Sequence, residues 1–215
     1  MPLTVLFDLD GTLVDSIELI QRSKDYAFAA MGRPAPSDRE WLTGVGIPLR
    51  AMFSRYADTP AEVQEFIRLY REYQIPNHDR LVRSYDGATT VLRTLRDAGH
   101  PIGIVTSKSV ELSERGLRCV ELYDYIDTIV GADSLALHKP DPAPVHLALE
   151  RLGTNAGEAV FIGDSVHDMQ AGNAAGVVTI GALWGPFGRD ELLPANPRHL
   201  LDDISGLPAL LAELA

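Results

Sequence analysis

Two aspartates stand two residues apart at the end of a short apolar segment near the N-terminus. Asp8 and Asp10 follow residues 3–7, and Gly11 and Thr12 come directly afterwards. On an extended chain, side chains two residues apart point to the same side, so both carboxylates would face one space. Like charges held this close need a cation or a shared proton. The pair therefore predicts chemistry, although aspartates before a glycine also occur in ordinary turns.

Polar residues also follow two other apolar segments. Thr106, Ser107 and Lys108 follow the first of them, and Asp164 follows the second, with Asp168 four residues later. A hydroxyl next to free backbone amides can bind an oxyanion or a phosphate. Taken alone, the pair Thr106 and Ser107 favours a different role, in which Ser107 is the N-cap of a helix that binds no ligand. The second segment adds two carboxylates to the candidate site.

A lysine between prolines is the last candidate group. Lys139 lies in the segment 138–142, where its ammonium group could approach a phosphate and the carboxylates. The alternative is a solvated lysine, which is usual in a loop. Mg²⁺ prefers a few carboxylate oxygens together with waters and substrate phosphate. Asp8, Asp164 and the main-chain carbonyl of Asp10 would supply such a set.

The apolar segments alternate with amphipathic helices, which is typical of an α/β fold with a parallel sheet. Helical periodicity predicts helices over 88–98 and 145–152, each followed by a glycine. Strands are predicted at 4–7, 102–106, 126–130, 160–162 and 177–180. The candidate residues would then lie at the carboxyl ends of parallel strands, where open α/β sheets bind their ligands.

One region breaks this alternation. Residues 16–81 show only helical periodicity and are too long for a single crossover between strands. We therefore predict a Rossmann-like parallel-sheet core, formed by 1–15 and 82–215, with an inserted α-helical cap domain at 16–81. Because the cap would leave and re-enter the core beside Asp8 and Asp10, it could cover them as a lid.

Charge and composition limit the partners of the chain. Its 215 residues carry a formal net charge of −11, which argues against binding nucleic acid or an anionic membrane. No apolar stretch reaches the length of about 18 residues that a membrane span needs. The single cysteine excludes an internal disulfide and favours a reducing compartment. We expect a cytoplasmic protein.

The motifs together resemble those of the haloacid dehalogenase superfamily of phosphatases. Residues 8–12 resemble the first motif of that superfamily, Thr106 the second, Lys139 the third and 163–168 the fourth. The resemblance extends over essentially the full length, including a helical cap after the first strand. Dehalogenases of the superfamily lack the second acid of the first motif, so Asp10 favours phosphoryl chemistry. The resemblance implies a Mg²⁺-dependent phosphoric monoester hydrolase.

The resemblance also implies a role for each matched residue. Asp8 would be the nucleophile that becomes an aspartyl phosphate, and Asp10 would act as general acid and then as general base. Thr106 and Lys139 would hold the phosphoryl oxygens. Mg²⁺ would be bound by Asp8, Asp10, Asp164 and Asp168. The expected substrate contacts are Gly11, Thr12, Ser107, Lys108, Arg50 and His78.

The cap would determine the substrate. The loops at 43–49 and 184–188 are similar to those of phosphoglycolate phosphatases, and 77–82 is similar to the pyrophosphatases of the same superfamily. Arg50, Lys24 and His78 could read a second anion on the substrate, or could be surface ion-pair residues. We expect a small phosphomonoester of the phosphoglycolate type, with pyrophosphate as the alternative substrate.

Two further alternatives remain open. One is a β-phosphoglucomutase-type transferase, although nothing in the cap sequence singles out a sugar. The other, of a different class, is a non-catalytic phosphate-sensing module, which would have no need to keep both Asp8 and Asp10. The partner expected in each case is a small phosphate-bearing molecule. The chain itself is expected to be a monomer or a small homo-oligomer.

Overall fold

The computed structural model describes residues 2–214, and a six-stranded parallel sheet forms its centre. The strands are β1 Thr4–Phe7, β2 Val14–Asp15, β3 Arg83–Ser84, β4 Ile102–Val105, β5 Thr128–Val130, β6 Ala159–Gly163, β7 Val178–Ala182 and β8 His199–Leu201. The helices are α1 Ile17–Ala30, α2 Asp38–Leu42, α3 Leu49–Phe53, α4 Pro60–Leu81, α5 Ala88–Asp97, α6 Val110–Cys119, α7 Ala143–Leu152, α8 Val166–Ala175, α9 Arg189–Leu192 and α10 Leu207–Leu214.

The order of the strands creates one crevice at the end of β1. The sheet runs β5-β4-β1-β6-β7-β8, and every neighbouring pair is parallel. After β1 the chain first builds one side of the sheet and then the other, so β1 lies at the switch point. In open α/β sheets ligands bind at such a point, beside the carboxyl ends of the strands.

The predicted fold class, a Rossmann-like α/β sheet with flanking helices, is confirmed. The observed strands and helices differ from the predicted ones mainly at their ends. The strand predicted at 126–130 begins at Thr128, because Tyr123–Tyr125 forms a 3-10 turn just before it. The edge strand β8 was missed, because its three residues are too few to show a period.

Local capping explains where the helix predicted at 145–152 begins and ends. Asp141 Oδ1 accepts a hydrogen bond from Ala143 N at 2.8 Å, so the helix starts two residues earlier than its apolar period suggests. Gly153 ends the helix with φ 67°, a left-handed conformation that favours glycine. Polar side chains and glycine thus set bounds that the apolar pattern does not.

The helices α1–α4 enclose an apolar core of their own. Its centre is aromatic: Phe66 lies 4.9 Å from Phe28 and 5.0 Å from Phe53, centroid to centroid. Trp41 packs 5.0 Å from Phe53, and Tyr70 packs 5.8 Å from it. This cluster is separate from the two apolar clusters that cover the faces of the sheet. The apolar residues that give 16–81 its helical periodicity are therefore mainly the core of this helical block.

Two short strands join the helical block to the sheet. Strand β2 precedes the block, β3 follows it, and the two pair antiparallel, with Val14 opposite Ser84. The predicted division into a core of 1–15 and 82–215 and a cap of 16–81 stays a prediction. The paired strands are where we propose its boundary. The first of the two crossing segments lies next to Asp10, which forms an isolated bridge with Val14.

A segment that follows β7 ties the helical block to the sheet a second time. Phe187 and Leu192 are buried in the aromatic cluster of the block. Arg39 of α2 pairs with Glu191, donates to Pro186 O at 3.2 Å, and lies over the Phe187 ring at 5.3 Å. Among the described residues, no helix is both long enough and apolar enough to cross a membrane.

Replacement of Phe66 by alanine should lower the free energy of unfolding by about 3–5 kcal/mol, because it empties the middle of the aromatic cluster. Urea denaturation followed by circular dichroism measures this change. Ile75→Ala on the same helix is the matched control, since Ile75 is 45% exposed, and it should change the value by less than about 0.5 kcal/mol. Equal effects of the two substitutions would contradict the assignment of Phe66 to the core.

Candidate active site

Asp8 stands at the carboxyl end of β1 and is buried. Its backbone N–H donates to Ile162 O at 2.8 Å, which fixes the chain against β6. Its Oδ1 accepts a hydrogen bond from Lys139 Nζ at 2.8 Å. Asp10, two residues on, is only partly buried, and its Oδ1 accepts from Ser16 Oγ at 2.5 Å and Lys108 Nζ at 2.6 Å. The two aspartates thus lie near different cations.

Lys139 is a buried lysine and not the solvated one that its loop position also allowed. Besides Asp8, its Nζ donates to Asp168 Oδ1 at 2.6 Å and to Val105 O at 3.1 Å. Burial alone would lower the pKa of Lys139, but the charges of Asp168 and Asp8 outweigh it and raise that pKa. The ammonium group therefore stays charged and holds two carboxylates and a strand end together.

Three buried carboxylates form a candidate metal centre. One oxygen each from Asp8, Asp164 and Asp168 lies within 4.8 Å of the others. Thr12 Oγ1 donates to Asp164 Oδ1 at 2.7 Å, whereas the buried Asp164 Oδ2 has no hydrogen-bond partner among the described residues. An unpaired carboxylate oxygen beside a second carboxylate is a suitable ligand for Mg²⁺. The residues present therefore fit the metal that the sequence predicts.

The raised pKa values of two carboxyl groups in this cluster also favour a bound cation. Burial raises the pKa of Asp8 to about 7, against the opposing charge of Lys139, and the charge of Asp168 adds to the rise. Burial, followed by the charges of Asp168 and Asp8, also raises the pKa of Asp164 well above its ordinary value. A single lysine does not neutralise the cluster, so a divalent cation would relieve the remaining repulsion.

Asp168 differs from the predicted ligand in what its oxygens contact. Its Oδ1 accepts from Lys139, and its Oδ2 accepts from Ser165 N at 3.0 Å and Ser165 Oγ at 2.6 Å. The contacts to Ser165 belong to a capping box that begins α8. Through these contacts Asp168 orients Lys139, and its predicted role as a metal ligand stays a prediction. We propose Asp8, Asp164 and the carbonyl of Asp10 as the main ligands.

Glycines allow the chain to approach these carboxylates closely. Gly11 has φ +90°, and a Cβ there would lie 2.5 Å from Asp164 Oδ2. A Cβ at Gly185 would lie 2.6 Å from both Asp164 Cβ and Gly11 O. Trp184, next to it, donates its indole N–H to Thr12 O at 2.8 Å. The predicted late loop thus packs directly against Asp164, and it continues into the segment that contacts the cap.

Ser107 links the sheet to the cap instead of capping a helix. Its Oγ donates to Gly46 O at 2.5 Å, and α6 begins only at Val110. Thr106 is buried, and its Oγ1 accepts from Lys108 N at 3.2 Å. The helix-cap alternative for Ser107 is therefore wrong, and the loop after β4 meets the cap loop at 43–49.

A cavity of about 390 Å³ separates the aspartates from the cap. The polar residues that line it from the sheet side are Asp8, Asp10, Thr106, Ser107, Lys108, Ser109 and Asp133. Those that line it from the cap are Arg50, Gln64, Tyr70, Arg71 and Gln74. A volume of this size is within the range of roughly 300–1,000 Å³ that is usual for small-molecule sites.

Two of the residues predicted to bind a second anion, Lys24 and His78, do not line the cavity. Lys24 is buried within the cap, where its Nζ contacts Pro36 O at 3.0 Å and Asp38 Oδ1 at 2.5 Å. His78 is not among the residues that line the cavity, and its Nδ1 lies 2.7 Å from Asp79 Oδ1. The apolar spacing of the helices could not show which side of each helix faces the sheet.

Three polar cavity residues of α4 were not singled out from the sequence. Gln64, Arg71 and Gln74 line the cavity together. Their spacing of seven and three residues puts them on one face of the helix. This polar face was the available signal, but a solvent-exposed face has the same appearance in a sequence.

Comparisons with known proteins agree with this geometry. A family model described as haloacid dehalogenase-like hydrolase matches residues 5–182. The chain is 37% identical over 207 residues to a protein of Bacillus pumilus named pyrophosphatase PpaX, covering 96% of this chain and 95% of that one. It is 25% identical to the structure of a predicted phosphoglycolate phosphatase from Haemophilus somnus, with a TM-score of 0.90 and 97% of each chain covered.

A second structure, of a predicted phosphatase from Clostridium acetobutylicum, is 28% identical with a TM-score of 0.88, covering 99% of this chain and 100% of that one. The family match defines the class of protein as a hydrolase. Its most prominent site residue is Asp8, the aspartate at the end of the first strand. The chain belongs to the haloacid dehalogenase-like hydrolase family, in its phosphatase branch.

The raised pKa of Asp8 predicts a pH-dependent cost to stability in the metal-free protein. Asp8 ionises near 3.8 ordinarily and near 7 in the fold. Between these values the native state keeps a proton that the unfolded chain has lost. The contribution of Asp8 to stability therefore falls as the pH rises from about 4 to about 7.

Asp8→Asn removes this titration, so the variant should gain stability relative to the wild type as the pH rises through that interval. The gain should be at most about 1.4 kcal/mol per pH unit, and it should level off above pH 7. Urea denaturation of both proteins in chelator, from pH 4 to 8, measures it. A stability difference that does not change with pH would contradict the raised pKa.

Proposed function

We propose that this hydrolase is a Mg²⁺-dependent phosphatase that hydrolyses a small phosphomonoester of the phosphoglycolate type through an aspartyl phosphate on Asp8. One observation carries the proposal. Asp8, held by Lys139, and Asp10 open together onto a cavity that the helical cap covers. Phosphoryl transfer depends mainly on positioning and on neutralising charge, and this arrangement offers both.

In the first step a carboxylate oxygen of Asp8 attacks phosphorus, and the bond from phosphorus to the leaving oxygen breaks. Asp10 donates a proton to that leaving oxygen. Its two hydrogen bonds both go to Oδ1, so Oδ2 is the oxygen that can carry the proton. Thr106, which lines the cavity, holds a phosphoryl oxygen, and the positive charge of Lys139 offsets negative charge at Asp8. Such a covalent step divides a difficult hydrolysis into two easier ones.

In the second step Asp10 takes a proton from a water molecule, whose oxygen attacks phosphorus and breaks the bond to Asp8. Phosphate leaves and the Asp8 carboxylate is regenerated. Bound Mg²⁺ would neutralise charge on the phosphoryl oxygens. Lys139 keeps Asp8 oriented through both steps, and Asp168 keeps Lys139 oriented.

Asp8→Asn should abolish phosphate release while the fold survives, because the amide is nearly isosteric but cannot attack phosphorus. A panel of small phosphoesters, sugar phosphates, nucleotides, pyrophosphate and an aryl phosphate, assayed with Mg²⁺ and with chelator, measures this. We expect activity only with wild-type protein and metal. Substantial turnover by folded Asp8→Asn would contradict the covalent route. An inactive wild-type protein would favour a phosphate-sensing module.

Pyrophosphate is the second candidate substrate. Support comes from relatives named pyrophosphatase PpaX that are 36% and 37% identical over more than nine-tenths of the chain. Phosphoglycolate and pyrophosphate both carry a second anion close to the transferred group. Arg50 and Arg71 both line the cavity and could bind that anion. Because Lys108 is paired with Asp10, it is less available to bind the second anion.

Arg71→Gln should lower kcat/KM about 10- to 150-fold on a substrate with a second anion, the usual worth of a charge-assisted hydrogen bond. The aryl phosphate lacks that anion and should be affected far less. Arg68→Gln is the matched control, because Arg68 lies on the same helix, is exposed, and pairs with Glu65 and Glu72. If Arg71→Gln and Arg50→Gln both behave like the control, the second anion is bound elsewhere.

A further inference from the structure

The loop that joins β4 to α6 presents all four of its residues to the cavity. Thr106, Ser107, Lys108 and Ser109 each line it, and α6 begins directly afterwards at Val110. The first backbone N–H groups of a helix have no partner within the helix, and the side chain of the preceding residue usually satisfies one of them. Serine is among the preferred residues at that position, so Ser109 is the expected cap of α6.

Ser109 does not cap the helix. Its side chain makes no cap hydrogen bond, although its backbone is extended, with φ −64° and ψ 152°, as in an N-cap residue. The other two hydroxyl groups of the loop are engaged elsewhere. Ser107 donates to Gly46 O, and the hydroxyl of Thr106 accepts from within the loop. The loop at 106–109 therefore supplies no cap of its own to α6.

The missing cap comes from a different part of the chain. Asp133, in the loop after β5, accepts a hydrogen bond from Val110 N with its Oδ1 at 2.9 Å. The same loop donates from Ala132 N to Lys108 O at 2.8 Å. A Cβ at Gly131 would lie 2.7 Å from both Lys108 O and Val110 N, so glycine is needed for the two loops to approach this closely. The loop at 131–133 thus holds the end of the loop at 106–109.

This external cap affects two residues that line the cavity. Lys108 is fixed at both ends, because its carbonyl accepts from Ala132 and its ammonium group pairs with Asp10. Ser109 is not needed at α6, since Asp133 already binds the first N–H group of that helix. Its hydroxyl therefore stays available to a ligand in the cavity.

We propose that Asp133 is a positioning residue for the loop at 106–109, which carries Thr106. By capping α6 from outside, its carboxylate holds the end of this loop in place and leaves the Ser109 hydroxyl free to contact the substrate. The proposal rests on the phosphatase function proposed above. It adds two residues to the site, Asp133 through the loop and Ser109 by direct contact.

The first test separates the hydrogen bond of Asp133 from its charge. Asp133→Ala removes both, whereas Asp133→Asn keeps an oxygen that accepts from Val110 N. The values of kcat/KM are measured for phosphoglycolate and para-nitrophenyl phosphate with Mg²⁺. Asp133→Ala should lower them about tenfold or more, the usual worth of a hydrogen bond to a charged group, and Asp133→Asn should stay within about threefold of the wild type. Equal losses in the two variants, or no loss in either, would refute the role of the hydrogen bond.

Ser109→Ala tests the direct contact. It should lower kcat/KM about fivefold, the usual worth of one hydrogen bond. It should leave the midpoint of urea denaturation unchanged, because the hydroxyl does not cap α6 in the wild type. A lowered midpoint would show that Ser109 does cap the helix, and an unchanged kcat/KM would show that it does not contact the substrate. Either result overturns the part of the proposal that concerns Ser109.

Asp203→Ala is the matched control, because Asp203 Oδ1 also accepts from a backbone N–H, that of Ser205 at 2.7 Å, and Asp203 does not line the cavity. It should leave kcat/KM unchanged, and a loss equal to that of Asp133→Ala would contradict a specific role for Asp133.

Amide hydrogen exchange tests the positioning without turnover. Residues 107–110 should exchange about fivefold faster or more in Asp133→Ala, because the hydrogen bond that holds the end of the loop is lost. Asp133→Asn and Asp203→Ala should keep the wild-type rate. Unchanged exchange in Asp133→Ala would refute the positioning. A wild-type protein that hydrolyses neither ester would refute the proposed function, and the exchange rates would still decide whether Asp133 holds the loop.

Discussion

The burial of several carboxylates at one end of a parallel sheet is the constraint on which the rest of this structure depends. Asp8, Asp164 and Asp168 are each at most 4% exposed, and one oxygen of each lies within 4.8 Å of the others. Such a cluster needs a cation or a bound proton to relieve the repulsion between its carboxylates. Lys139 supplies one positive charge between Asp8 and Asp168. The unpaired oxygen of Asp164 is a suitable ligand for another, and such an ion would serve both the proposed catalysis and the stability of the cluster.

Much of the surrounding chain serves to hold these charges in position. Glycine at 11 and 185 allows backbone to lie against Asp164, where a Cβ would collide with it or with backbone. The loop that carries Gly185 continues to Phe187, which is buried in the aromatic cluster of the cap. A movement of the cap would therefore act on the backbone that packs against Asp164. The carboxylate cluster and the helical block are linked by this short segment, in addition to the β2–β3 connection.

The sequence was sufficient to predict the parallel sheet and the polar residues that stand at the ends of its strands. The ends of strands are easy to recognise in the sequence, because an apolar segment stops at a charged residue. An example is Phe7, which is followed directly by Asp8. The pattern fails where an element is too short for a period to appear, as in β8. It also could not show that Asp168 uses both oxygens for Lys139 and Ser165. That depends on side-chain direction, which spacing alone does not fix.

The cap was harder to predict in detail, and the reason is physical. The reacting groups stand at strand ends, so their positions along the chain determine their positions in space. A specificity residue on a helix has a role only because of the surface that the helix faces. Gln74 on α4 looks like a solvated residue in sequence, and His78 looks like a better ligand, yet only Gln74 lines the cavity. Reaction type is therefore encoded locally in this fold, whereas substrate choice depends on how the cap packs over the sheet.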